Sequence, residues 1–115
     1  NPGDLANGAK GAILYLQSAG DGGAGDTENY YNQTPESATK AFGVLAHAKH
    51  DDVMGNPHCT GSNCITGAYG YLGYSAAWFS WHLRGHTTLR HAFRAGVGEF
   101  VQPDPDWKLT RTNVS

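Results

Sequence analysis

Two short apolar runs, each ending abruptly in a loop of glycines or titratable side chains, constrain this chain more than any other feature. Residues 12 to 19, Ala-Ile-Leu-Tyr-Leu-Gln-Ser-Ala, lie between Gly11 and Gly20. The run is too short for a core helix and is flanked by glycine on both sides, which predicts a buried strand. It runs into Gly20-Asp21-Gly22-Gly23, and four glycines between Gly20 and Gly25 predict a sharply turning loop that carries Asp21 and Asp26. Lys40 to Ala46 repeats the pattern as a second strand, ending in His47-Ala48-Lys49-His50-Asp51-Asp52. Between the strands, residues 27 to 39 are polar, hold Pro35 and the pair Tyr30-Tyr31, and suggest no more than an irregular helical turn or two.

Residues 53 to 70 carry Gly, Pro, Asn and both cysteines without periodicity, which predicts a surface loop. From Tyr71 the pattern changes. Leu72, Ala76, Phe79 and Leu83 recur at helical spacing, while Tyr74, Trp78 and Trp81 cover much of the remaining circumference. A helix this apolar must be covered on more than one side, or it exposes a sticky patch. Arg84-Gly85 supplies a cation and a glycine as its stop. Thr87 is placed to cap a second helix from Thr88 to Ala95, stopped by Gly96. The tail from Val97 to Ser115 reads as irregular apart from an extended piece around Trp107 to Leu109.

At 115 residues and 12.3 kDa there is room for one domain, 1-115. With 39% apolar and 16% charged residues the chain is neither a disordered tail nor a coiled coil. Eight basic against ten acidic residues give a formal charge of -2 with no basic block, which argues against a nucleic-acid partner. No apolar run approaches the roughly 18 residues of a membrane span. The chain opens on Asn1-Pro2 with no initiator Met, and is expected to have been cut from something longer.

In open α/β sheets, catalytic groups gather beyond the carboxyl ends of the strands. Here successive strands deliver a carboxylate, Asp21, and then an imidazole, His50, and an acid that orients a histidine is two-thirds of a nucleophile relay. The competing view is that Asp21 caps a glycine turn and His50 is a solvated loop residue. A G-x-S-x-G elbow is absent. Ser75 lies inside the helical pattern, and Ser18 follows a strand but precedes a glycine loop, so neither fits the nucleophile. The serine is therefore expected on a part of the enzyme outside this chain.

The order of strand, Gly20-Asp21, strand, Ala46-His47-Ala48-Lys49-His50, glycine loop and Ala77-Trp78-Phe79-Ser80-Trp81-His82-Leu83-Arg84-Gly85 resembles the carboxyl-terminal part of secreted α/β-hydrolases related to cutinase-like polyester hydrolases and lipases. The resemblance runs from about Ala12 to Trp107. It implies an α/β fold made of the last sheet strands plus closing helices, completed by an N-terminal portion absent from this chain. It further implies a secreted, extracellular or periplasmic serine ester hydrolase of the esterase, lipase or polyesterase type. Asp21 would be the acid, with Asp26 as substitute, and His50 the general base. No cofactor is needed. Tyr30, Tyr31 and the loop beginning at Val53 are expected to line the substrate pocket. The segment from Asn56 to Cys64 has no match in that pattern.

Cys59 and Cys64 bracket four residues; an even count in a loop favours a disulfide and an oxidising compartment over free thiols. Zinc is the competing idea, but no further ligand pair completes a four-ligand site around His58, Cys59 and Cys64. His47, His50, Asp51 and Asp52 lack the additional ligands of a metallohydrolase. His82 and His86, interrupted by Gly85, read as a solvated helix end. Asn32-Gln33-Thr34 and Asn113-Val114-Ser115 match the glycosylation pattern weakly. The rival function is a non-catalytic α/β module or subunit that docks on a partner through its apolar helix.

Overall fold

The computed structural model describes residues 11–20, 24–48 and 69–115. They form a small mixed α/β domain around a three-stranded sheet of order β1-β2-β3. Strand β1 (Ile13–Ser18) and strand β2 (Lys40–Leu45) are parallel neighbours, joined through helix α1 (Ala24–Gln33). Helix α2 (Tyr69–Arg84) follows, then two 3-10 segments (Thr87–Phe93 and Glu99–Val101), and finally strand β3 (Trp107–Thr112), antiparallel to β2.

Both expected strands are present. Every residue of β2 is buried, as befits the middle strand of a covered sheet. Helix α1 is longer and more regular than the sequence suggested. Its propensity is modest, but Asp26 in the first turn complements the helix dipole, and Tyr31 anchors the last turn against Phe42, with ring centroids 5.9 Å apart. The tail also departs from expectation, because Trp107–Thr112 is a full strand rather than a short extended piece.

The sheet is covered on both faces. On one, Tyr31 of α1 packs with Phe42, Val44, Tyr15 and Leu109. On the other, Ala41 meets Trp78 of α2, Phe93, Phe100 and Val114. A bulge in the β2–β3 register pairs Val44 with Leu109 but Leu45 with Trp107, so one residue of β3 is left over. That is why Leu109 joins the α1 face while Trp107, two positions away, packs on the α2 face.

Helix α2 is apolar on two opposite sides, and the structure buries the aromatic one. Trp78 is in the core, with Tyr74, Ala77 and Trp81 packed beside it. The regular stripe that first marks the helix in the sequence points outward: Leu72 is 51% exposed, Phe79 59% and Leu83 77%. The indole and phenol rings offer more apolar area for burial than the leucines do, and they win the inner face. Gly85 (φ 72°) stops the helix as expected.

Two local expectations are corrected. The segment after Gly85 is a 3-10 helix, and the residue at its N-cap is His86, with no side-chain cap bond, rather than Thr87. The segment ends at Phe93, with Arg94 as its C-cap in extended conformation, before Gly96, which takes a positive φ of 77° three residues past the end. His82 is not a solvated helix end. Its ring lies 4.5 Å from Trp78 and 3.9 Å from Trp81, centroid to centroid, and its Nε2 is buried with no hydrogen-bond partner among the described residues.

Candidate functional site

The carboxyl ends of β1 and β2 lie side by side because the two strands are parallel and in register, Ser18 opposite Leu45. The pairing continues past the strands. The Ala19 amide donates to the Leu45 carbonyl at 3.0 Å, and the Gly20 amide to the Ala48 carbonyl at 3.0 Å. The approach to β3 joins the same end, since the Ala46 amide donates to the Asp106 carbonyl at 2.8 Å. Three chain segments thus meet where a doubly covered sheet gathers its ligands.

Asp21 follows Gly20 directly, and His50 comes two residues after Ala48; both lie outside the described residues, as do Val53, Cys59 and Cys64. Asp26 is exposed in the first turn of α1. His47, at the end of β2, is exposed. Tyr30 is half-buried and gives its carbonyl to the Thr34 hydroxyl.

Tyr31 sits elsewhere. Its ring is in the core against Phe42, toward the amino end of β2, and the Lys40 ammonium lies 4.5 Å from the ring centroid. Lys40 Nζ also donates to the carbonyls of Tyr31 (2.9 Å) and Thr34 (2.7 Å) and pairs with Glu36 (3.0 Å). Burial, with the Glu36 charge adding to it, raises the Tyr31 phenol above its ordinary pKa. These contacts make Tyr31 a packing residue at the end of the sheet opposite Gly20 and Ala48.

Around Trp107 the structure shows a hollow of about 470 Å³ that the sequence reading did not anticipate. Tyr74, Trp107 and Leu89 supply apolar surface, and Glu99, Asp104 and Asp106 supply carboxylates. Burial foremost, then the Glu99 carboxylate beside it, pushes the Tyr74 phenol up to about 12. Among the described residues no three His, Cys, Asp or Glu side chains are grouped so as to hold a metal ion. No sequence spacing could have revealed the hollow, because its residues come from α2, both 3-10 segments and the approach to β3.

Asn113 is fully engaged and offers no free amide for a glycan. Its Nδ2 donates to the carbonyls of Ala38 (2.7 Å) and Glu36 (3.3 Å), and its Oδ1 accepts from the Lys40 amide (2.8 Å). Ser75, rejected as a nucleophile, is half-buried within α2. Ser18 is buried, and its hydroxyl has no partner among the described residues. No helix among the described residues is long and apolar enough to cross a membrane.

No protein-family model, curated protein or solved structure matches this chain.

Proposed function

We propose that this chain is the carboxyl-terminal portion of a secreted serine ester hydrolase of α/β-hydrolase fold, supplying the acid and the histidine of a Ser-His-Asp relay. One observation carries the reading. The chain leading into Asp21 and the chain leading into His50 leave adjacent parallel strands at one point, tied by the bond from the Gly20 amide to the Ala48 carbonyl. In sequence, Asp21 is the next residue after Gly20, and His50 is the second after Ala48.

The chemistry follows from those residue types. His50 takes the proton of a serine hydroxyl as the serine oxygen bonds to the ester carbonyl carbon. It returns that proton to the departing alcohol when the carbon–oxygen bond breaks, then activates water to release the acid. Asp21 accepts a hydrogen bond from the other imidazole nitrogen, fixes the tautomer and stabilises the charged ring. The serine and the oxyanion donors belong to an N-terminal portion that carries the G-x-S-x-G elbow. Among the described residues β1 pairs only with β2, and the hydrogen-bonding groups of such an edge are what a further strand of that portion would need to continue the sheet.

The rival reading, a non-catalytic module that docks on a partner, is favoured by the outward stripe of Leu72, Phe79 and Leu83. A fluorophosphonate probe separates the two. The hydrolase reading expects covalent labelling of a serine on an accompanying chain and cleavage of p-nitrophenyl esters, both lost by orders of magnitude in His50→Ala. Native material that neither labels nor cleaves, or a His50→Ala enzyme with near-normal turnover, overturns it.

A further inference from the structure

The relay assigns no role to the hollow of about 470 Å³ beside Trp107, whose volume is that of a small-molecule site. Its half-buried lining is apolar, with Leu89 beside the Tyr74 and Trp107 rings, which meet edge to face at 5.8 Å between centroids. Its exposed side chains are all acidic, from Glu99, Asp104 and Asp106, and no Lys, Arg or His lines it. The Arg and Lys adjacent in sequence to its lining residues turn elsewhere. Arg90 donates to the Ser115 carbonyl, and Lys108 lines a separate hollow with Gln17 and Phe42.

Charge and shape together narrow the ligand. The ion pairs among the described residues, Lys40–Glu36 and Arg111–Glu28, include none of the three carboxylates. A hollow rimmed by charges of one sign attracts a cation and repels an anion. Among the described residues no three His, Cys, Asp or Glu side chains are grouped so as to hold a metal ion, so the rim fits a cation that needs no convergent oxygens. Asp104 Oδ1 accepts from the Asp106 amide at 2.8 Å, which fixes that carboxylate in place. Burial foremost, then the Glu99 and Asp104 charges, raise the Tyr74 phenol, so both carboxylates act on a ring that lines the hollow. The aromatic surface takes an apolar body and also favours a cation near its rings.

We propose that this hollow binds an organic ammonium ion with an apolar body, benzylammonium being the simplest. The ammonium N–H groups donate to the rim carboxylates, and the ring lies against Trp107 and Leu89. The site does not rest on the hydrolase reading, and the probes below contain no ester bond, so the two stand or fall separately.

The test is titration of the full chain at neutral pH with benzylammonium, benzyl alcohol and methylammonium, each separately, following the Leu89 methyl and Trp107 indole N–H NMR signals. Benzylammonium is expected to shift both signals saturably and to bind at least about tenfold more tightly than either control. The alcohol lacks the charge that strengthens hydrogen bonds to carboxylates, and methylammonium lacks the apolar body. Glu99→Gln combined with Asp104→Asn, which keeps an acceptor for the Asp106 amide, should bring benzylammonium down to the affinity of benzyl alcohol. Equal binding of benzylammonium and benzyl alcohol to the unmodified chain overturns the proposal. Equal binding of methylammonium overturns it too, since that would mean only a cloud of cations at an acidic surface, as does the absence of any shift at Leu89 and Trp107. The comparison on the unmodified chain decides the matter even if the double variant does not fold.

Discussion

The Trp107 indole lies over the bare Cα of Gly43: a methyl group built on that glycine would meet Trp107 Cζ3 at 2.7 Å and Phe100 Cζ at 3.0 Å. The close approach depends on the bulge, which turns Trp107 toward the α2 face of the sheet. Both rings are also held by Tyr74, which packs edge to face on Phe100 at 4.9 Å and on Trp107 at 5.8 Å. Gly43→Ala should therefore destabilise the fold by about 1–3 kcal/mol through overpacking, measured by urea unfolding. The same change in a Trp107→Leu background should cost much less. Equal costs in the two backgrounds would show that the indole is not the obstacle.

Lys40 and Glu36 form one ion pair with unequal partners. The lysine is 2% exposed and the carboxylate 80%. Lys40→Met removes the donor to one carbonyl in the last turn of α1 and one in the α1–β2 connection, and should cost about 2–4 kcal/mol. Glu36→Gln, in open solvent, should change stability far less, although the Lys40 hydrogen bond holds the Glu36 carboxyl below its usual pKa. Unfolding curves of the two variants, measured side by side, check the asymmetry.

His82 makes stability depend on pH in a defined direction. Burial against Trp78 and Trp81 lowers its pKa below the ordinary histidine value of 6.5, because the charged ring is poorly solvated there. The unfolded chain then binds the proton first. Stability from this group is complete above about pH 6.5 and falls as the pH drops toward the lowered value. Thermal unfolding between pH 7.5 and 5.5 should show a decline that is smaller in His82→Phe. An identical slope in the two proteins would remove His82 as its source.

The outward stripe of α2 contributes little to the fold and much to contact with other surfaces. Phe79→Lys combined with Leu83→Glu should leave the unfolding free energy within about 1 kcal/mol, as expected for surface changes, while sharply reducing binding of a hydrophobic dye and any self-association seen by sedimentation. A large loss of stability instead would mean that these side chains are covered within the folded chain.

The strands were legible because glycine punctuates them and their apolar runs are short, and the stop of α2 was legible in Arg84-Gly85. Other features depend on residues distant in sequence. Helix α1 carries a polar sequence and packs through Tyr31, whose partner Phe42 lies on another element. The periodicity of Leu72, Ala76, Phe79 and Leu83 announced a helix but not which side it buries, because Trp78 and Trp81 compete for the interior. Asp21 and His50 were legible as strand-end residues, and the structure adds that the strands they follow are adjacent and parallel.

Asn113 and Val114 have a bearing on the order in which the molecule can be made. Asn113 binds the backbone at the start of β2, while Val114 is buried, forms a bridge with Arg94 and accepts a bond from the Ala95 amide at 2.7 Å. During synthesis from the amino end, β1, α1 and β2 emerge well before the strand and tail that dock on the far edge of β2. Until then the far edge of β2 lacks its ladder and Phe93 lacks part of its cover. The chain is thus open to mispairing while residues 46–106 are being made, and this part of the sheet closes only when residues 107–114 are free to dock.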